Sequence, residues 1–179
     1  ASNADEPAEF GSALVDLLEK RWGEVLAQKK SLQVMWKTLD ENGNGLISGA
    51  EVDTWIQKRF PKMHVKPVLK QAFVMCRGSD GFIHQPKFGQ LLKCIVLCSR
   101  AWLMFDQLNL TDDVERAKDY KADPQTKTHK DKRIQIQEFR VCFQKIFPAA
   151  TADQCDAEWA VMDADGKGMV LFGEFCEWY

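Results

Sequence analysis

The sequence predicts an all-α protein. It is expected to form two compact lobes, each a pair of helix–loop–helix units joined by a short β-bridge, with an extra N-terminal helix. Three observations predict this. Polar stretches of twelve residues recur with glycine at the sixth place, at Gly45, Gly81 and Gly168. Apolar residues with helical spacing flank them. The residues that close the four stretches, Glu51, Lys87, Glu138 and Glu174, are 36, 51 and 36 positions apart. The equal outer spacings mark two similar pairs, and only the interval between the pairs is stretched.

The expected division is a segment 1–30, a lobe 31–97, and a lobe 98–179 carrying a charged insertion at about 109–130. The first segment reads as one helix from Pro7 to about Lys30, amphipathic through Phe10, Leu14, Leu17, Leu18, Val25 and Leu26. It is expected to cover a lobe groove or to lead to something upstream.

The first lobe opens with Trp36 and Leu39 on one face of a helix, followed by DENGNGLISGAE from Asp40 to Glu51. Short oxygen-bearing side chains stand at alternate places. Asp40, Asn42 and Asn44 hold positions 1, 3 and 5, and Gly45 allows the sharp turn at position 6. Leu46 offers a backbone carbonyl at position 7, Ser48 can hold a water at position 9, and Glu51 supplies two oxygens at position 12. That set suits Ca²⁺, a hard cation that takes about 6–8 oxygens. Ile47, at position 8, is expected to pair with a partner loop. Val52, Trp55 and Ile56 give the leaving helix its apolar face.

The partner loop begins at Cys76. Gly81 and Ile83 keep positions 6 and 8, but position 1 is a thiol, position 3 is Gly78 and position 12 is Lys87. An ammonium in place of the bidentate carboxylate repels Ca²⁺, so this unit is expected to be metal-free and to support the first. His84, at position 9, reads as a surface residue.

The second lobe ends in a loop from Asp163 to Glu174. Asp163, Asp165 and Glu174 occupy positions 1, 3 and 12, and Met169 offers its carbonyl at position 7. Val170 takes position 8. Lys167 at position 5 removes an oxygen and adds a positive charge, contributing only its backbone if anything. Weak binding, binding with a water in that place, and no binding all stay open. Its partner carries Ile134 at position 8 and Glu138 at position 12. The helix entering that unit ends near Leu108, so the third loop holds an insertion of roughly 18 residues over the usual twelve. The insertion is highly charged and reads as a surface loop, with a short helix over 112–120 and a basic cluster at Lys127, Lys130, Lys132 and Arg133. Between the lobes, 86–108 reads as one helix, apolar nearly all round, which implies that the lobes pack together or that a partner covers it.

From about Ser31 to Tyr179 the chain resembles the EF-hand superfamily, with four hands in two lobes. From Leu91 on it looks like the calflagin group, the flagellar calcium-binding proteins of trypanosomatids. LLKCIVLCSRAWLMFDQL, the QEF at 137–139 and GMVLFGEFCEW carry that likeness. That group is attached to membranes through an acylated N-terminus; this chain shows no Met-Gly signal, and anchoring is not carried over. The resemblance implies a cytoplasmic protein, with cytoskeletal or flagellar association as the variant reading.

Composition narrows the rest. The chain has 179 residues, of which 45% are hydrophobic, enough for one ordinary domain or two small lobes. A net charge of -2 gives no argument for a nucleic-acid-binding surface, which would need a basic excess, and no nucleic-acid partner is expected. Six cysteines lack CxxC or zinc spacing and read as reduced, buried thiols. The start reads as neither signal peptide nor initiator, which suggests a processed or partial sequence. The run 91–105 is interrupted by Lys93 and Arg100, is short for a membrane span, and reads as a buried helix. His64, His84 and His129 sit in no acid–base constellation, so no enzyme is expected.

The expected function is that of a calcium-binding, Ca²⁺-responsive interaction module. Ca²⁺ at the first loop would rotate the helix after Glu51 and expose apolar surface around Trp36, Trp55 and Phe73 to a partner's amphipathic helix. Two carboxylates, Asp40 and Glu51, imply affinity near the weak end of about 10⁻⁷ to 10⁻⁵ M. The alternative is a structural, light-chain-like or scaffold subunit that binds a partner helix independently of Ca²⁺.

Overall fold

A computed structural model describes the backbone of residues 9–119 and 133–179, with side chains over 9–108, 133–145 and 147–179. The fold is all-α and EF-hand-like. Helices dominate, and the described strands form only two short antiparallel pairs. The chain divides into two units, 1–100 and 101–179.

In the first unit, α1 (Ser12–Leu26) and α2 (Lys29–Leu39) are separate helices. The helix expected from Pro7 to about Lys30 ends at Leu26, a few residues early, and Gln28 turns to extended geometry (φ -124, ψ 106) before α2 begins. No Gly or Pro stands there, so local composition gave no signal. The chain must bury Leu14, Leu18 and Trp22 on one helix and Trp36 and Leu39 on the next, and a turn serves both faces.

The unit continues through β1 (Leu46–Ile47), α3 (Gly49–Arg59), α4 (Lys66–Cys76), β2 (Ile83–His84) and the start of α5 (Phe88–Asp119). Strands β1 and β2 pair antiparallel with Ile47 opposite Ile83, the position-8 residues of their loops. Both isoleucines are fully buried, so the bridge is pinned on its apolar side. The core is aromatic. Trp55 lies among Trp22, Phe60 and Phe88, and Trp36 meets Phe88 edge-on with ring centres 5.6 Å apart.

The helix expected over 86–108 is longer in the structure, and its continuation to Asp119 absorbs the separate short helix expected over 112–120. The stretch Gln85–Leu108 meets the length and composition of a membrane span, yet 56% of its most apolar window is buried inside the structure, as in a core helix. Lys127, Lys130 and Lys132 of the basic cluster, with His129, lie outside the described residues; Arg133 opens β3.

The second unit contains β3 (Arg133–Gln135), α6 (Ile136–Ile146), α7 (Ala152–Met162), β4 (Met169–Leu171) and α8 (Phe172–Trp178). Again the position-8 residues face one another, Ile134 against Val170. Phe105 and Phe175 are buried at its centre, 5.5 Å apart. All six cysteines are buried, and none forms a disulfide.

Candidate metal centre

The first loop begins where α2 stops. Asp40 is the C-cap of α2, with φ -82 and ψ 67, and is only 8% exposed. Its Oδ2 accepts the Gly45 N–H at 3.0 Å. Its Oδ1 is buried and has no hydrogen-bond partner among the described residues. A buried carboxylate oxygen without a donor is costly unless something else satisfies it.

The next turns are set by side chains bonding the backbone two residues on. Asn42 Oδ1 accepts the Asn44 N–H at 2.9 Å, and Asn44 Oδ1 accepts the Leu46 N–H at 2.8 Å. Such Asx turns bend the chain around a common centre. Gly45 sits at φ +78, a left-handed conformation that glycine adopts without the Cβ penalty.

Glu51 closes the loop from the other end. It is the third residue of α3 and completes a capping box with Ser48. Its Oε2 accepts both the Ser48 N–H and Oγ–H at 2.8 Å. Its Oε1 reaches across the loop and accepts from Asn42 Nδ2 at 2.9 Å. Positions 3 and 12 of the loop are therefore already in contact. The Asn42 amide turns its NH₂ toward Glu51, and a rotation of that amide would bring an oxygen inward instead.

The donor set fits a hard cation. Asp40, Asn42, Asn44 and Glu51 carry side-chain oxygens, Leu46 a carbonyl and Ser48 a hydroxyl that can hold a water. Asp40 Oδ1 is the one buried side-chain oxygen without a hydrogen-bond partner among the described residues.

The loop after α7 is built on the same plan with a different filling. Asp163 Oδ2 accepts the Gly168 N–H at 2.9 Å, the counterpart of the Asp40–Gly45 bond. Oxygens of Asp163, Asp165 and Glu174 lie within 4.8 Å of one another. Lys167 bends back and places Nζ 2.5 Å from Asp165 Oδ2. That hydrogen bond holds Asp165 below the usual carboxylate range and lifts Lys167 above the usual ammonium range. The ammonium thus pairs with the position-3 acid from position 5, where an oxygen ligand would stand. The Met169 backbone enters β4.

The second loop is also self-satisfied. Asp80 at position 5 accepts the Phe82 N–H at 3.1 Å and meets His84 Nε2 at 2.7 Å. The Phe82 amide first, then His84, lowers the Asp80 pKa. The position-1 thiol of Cys76 hydrogen-bonds Cys94 of α5; that bond raises Cys76 beyond the ordinary thiol range and brings Cys94 down to about 7. Lys87 bonds Gln90 at 3.2 Å. His84 is exposed, as expected of a surface residue, and its pairing with Asp80 around the tight turn is the contact that the residue pattern did not show.

At the start of α6, Glu138 Oε2 accepts the Gln135 N–H at 2.7 Å, as Glu51 does for Ser48.

Of the apolar residues expected to meet a partner, Trp36 and Trp55 are buried, at 5% and 4% exposure. Phe73 is half-buried, with its ring against Gly49. Trp55 donates its indole N–H to Thr38 Oγ1 at 2.9 Å. The second unit leaves a groove of about 680 Å³ beside Phe143, Phe147 and Trp178.

No family model and no curated protein matches this chain. Among solved structures it is similar to a homologue of programmed cell death 6 protein from Leishmania major Friedlin. The identity is 16% and the TM-score 0.39, over 82% of this chain and 69% of that chain.

Proposed function

We propose that the chain is a Ca²⁺-responsive protein-interaction module with one principal ion site, the loop Asp40–Glu51. The observation that carries this reading is the buried, unpartnered Asp40 Oδ1, inside a loop whose other ligand positions are all oxygen donors. The bound ion would supply a compact divalent charge that gathers these oxygens.

Glu51 links the site to the helix behind it. It is both the closing ligand position and the third residue of α3, which carries Trp55 into the aromatic core. A change in how Glu51 is held is therefore transmitted to α3 as a rigid element and to the apolar residues that an amphipathic partner helix would meet. The loop Asp163–Glu174 takes a second, weaker ion only when Lys167 leaves Asp165.

Calorimetry tests the reading. One equivalent of Ca²⁺ should bind with a dissociation constant near 10⁻⁵ M, the weak end of the sensor range. Asp40→Ala and Glu51→Gln should each abolish it. Binding unchanged in both variants would refute the assignment.

A second reading, a scaffold subunit that works without Ca²⁺, draws on side chains of the loops themselves. His84 in the second loop and Lys167 in the last already satisfy their acids. Hydrogen exchange separates the two: α3 amides that exchange identically with chelator and with Ca²⁺ favour the scaffold.

A further inference from the structure

Helix α1 occupies a seat on the first unit that its own sequence fills with apolar side chains but leaves incomplete in its polar partners and along one flank. Leu14, Val15, Leu18 and Trp22 are buried on one face. Trp22 stacks on Trp55 with ring centres 6.4 Å apart and meets Phe60 edge-on at 5.5 Å. On the flank, Arg100 of α5 bonds Asp16 at 2.8 Å and also Glu19.

Five features distinguish this packing from a permanent core. The Trp22 indole N–H is buried with no hydrogen-bond partner among the described residues, an expensive arrangement for a group that water would satisfy on release. Gly23 stands in the last turn of α1 with nothing within 4 Å of where a Cβ would be, and a groove of about 420 Å³ stays open between α1 and Leu92, Val96 and Leu97 of α5. The helix also starts at Gly11 without a side-chain cap, and its Arg100 ion pairs are largely solvent-exposed, so they contribute little and weaken with salt.

We propose that α1 is an exchangeable, in-chain occupant of a helix-binding seat formed by Trp55, Phe60 and α5. The partner this seat fits is an amphipathic helix with apolar residues at the spacing of Leu14, Leu18 and Trp22. Acids at the places of Asp16 and Glu19 would face Arg100. The proposal deepens the interaction-module reading by naming where the partner docks and what it displaces. It requires no particular effect of Ca²⁺.

The probe is a synthetic peptide of residues 11–27 added to the full chain. Wild type, with its seat filled, should bind it at least tenfold more weakly than a Trp22→Lys variant, in which α1 is released. The variant should take one peptide per chain. Adding Arg100→Glu should weaken that binding severalfold, and a peptide with lysine at the places of Asp16 and Glu19 should restore it. Hydrogen exchange at the Ile47 and Ile83 amides reports whether the unit is still folded. If Trp22→Lys melts that bridge, α1 is core and the proposal fails. It also fails if the unit stays folded but takes no peptide, or if charge exchange restores nothing. Running each titration with chelator and with 1 mM Ca²⁺ keeps the ion reading separate: peptide capture that ignores Ca²⁺ removes the switch while leaving the seat.

Discussion

Asp40→Asn separates the ion site's cost from its benefit. The substitution keeps the shape and can keep the acceptor for the Gly45 N–H at 3.0 Å, while it removes the charge from a group only 8% exposed with one oxygen unpartnered. An unsatisfied buried polar group costs about 1–3 kcal/mol, more when charged. Asparagine leaves an unpaired but neutral group, so without Ca²⁺ the variant should be as stable as wild type or up to about 1 kcal/mol more stable. With Ca²⁺ the order should reverse. At 1 mM Ca²⁺ and a dissociation constant near 10⁻⁵ M, the ion is at about 100 times that constant and stabilises wild type by about 2.7 kcal/mol. The variant should lose nearly all of that. Native-state hydrogen exchange at the β1–β2 bridge reads the first unit alone. Equal destabilisation with chelator and with Ca²⁺ would refute the reasoning, because it would make Asp40 an ordinary structural cap.

Other substitutions test neighbouring steps. Lys167→Asn restores an oxygen at position 5 and frees Asp165, so calorimetry should show a second equivalent of Ca²⁺ binding at least tenfold tighter than any second site in wild type. Gly23→Ala, in an open position of α1, should stabilise the first unit by up to about 1 kcal/mol through helix propensity alone, and should further suppress capture of the added peptide. The Cys76–Cys94 pair gives a pH signature. Cys94, depressed to about 7 by the Cys76 hydrogen bond, favours the folded state as pH rises from 7 to 9, and that contribution is lost on acidifying through 7. Cys76, raised, opposes folding only above about 9, the ordinary thiol value. The exchange-derived stability of the first unit should therefore climb between pH 7 and 9, and Cys94→Ser should flatten the climb.

The loops were legible because each ligand position demands a particular residue type. The pairs Ile47–Ile83 and Ile134–Val170 stand opposite each other as position counting requires. The seat of α1 was less visible. Leu14 and Leu18 marked an amphipathic helix, but Trp22, four residues on, is what joins it to Trp55, and nothing local tells which aromatic partner a tryptophan will meet. The turn between the first two helices was expected near Lys30 and lies at Ala27 and Gln28, because tertiary packing, not a breaker residue, sets where the helix ends. In the last loop the sequence showed an extra charge at Lys167, and only the geometry showed that it folds onto Asp165.

The most direct test of the central claim is a calorimetric titration of the full chain with Ca²⁺ after chelator treatment, run beside Asp40→Asn. The expected result is one equivalent bound to wild type near 10⁻⁵ M, with that event missing from the variant. Heat of the same size and affinity in both proteins, or none in either, would contradict the assignment of Asp40–Glu51 as the ion site.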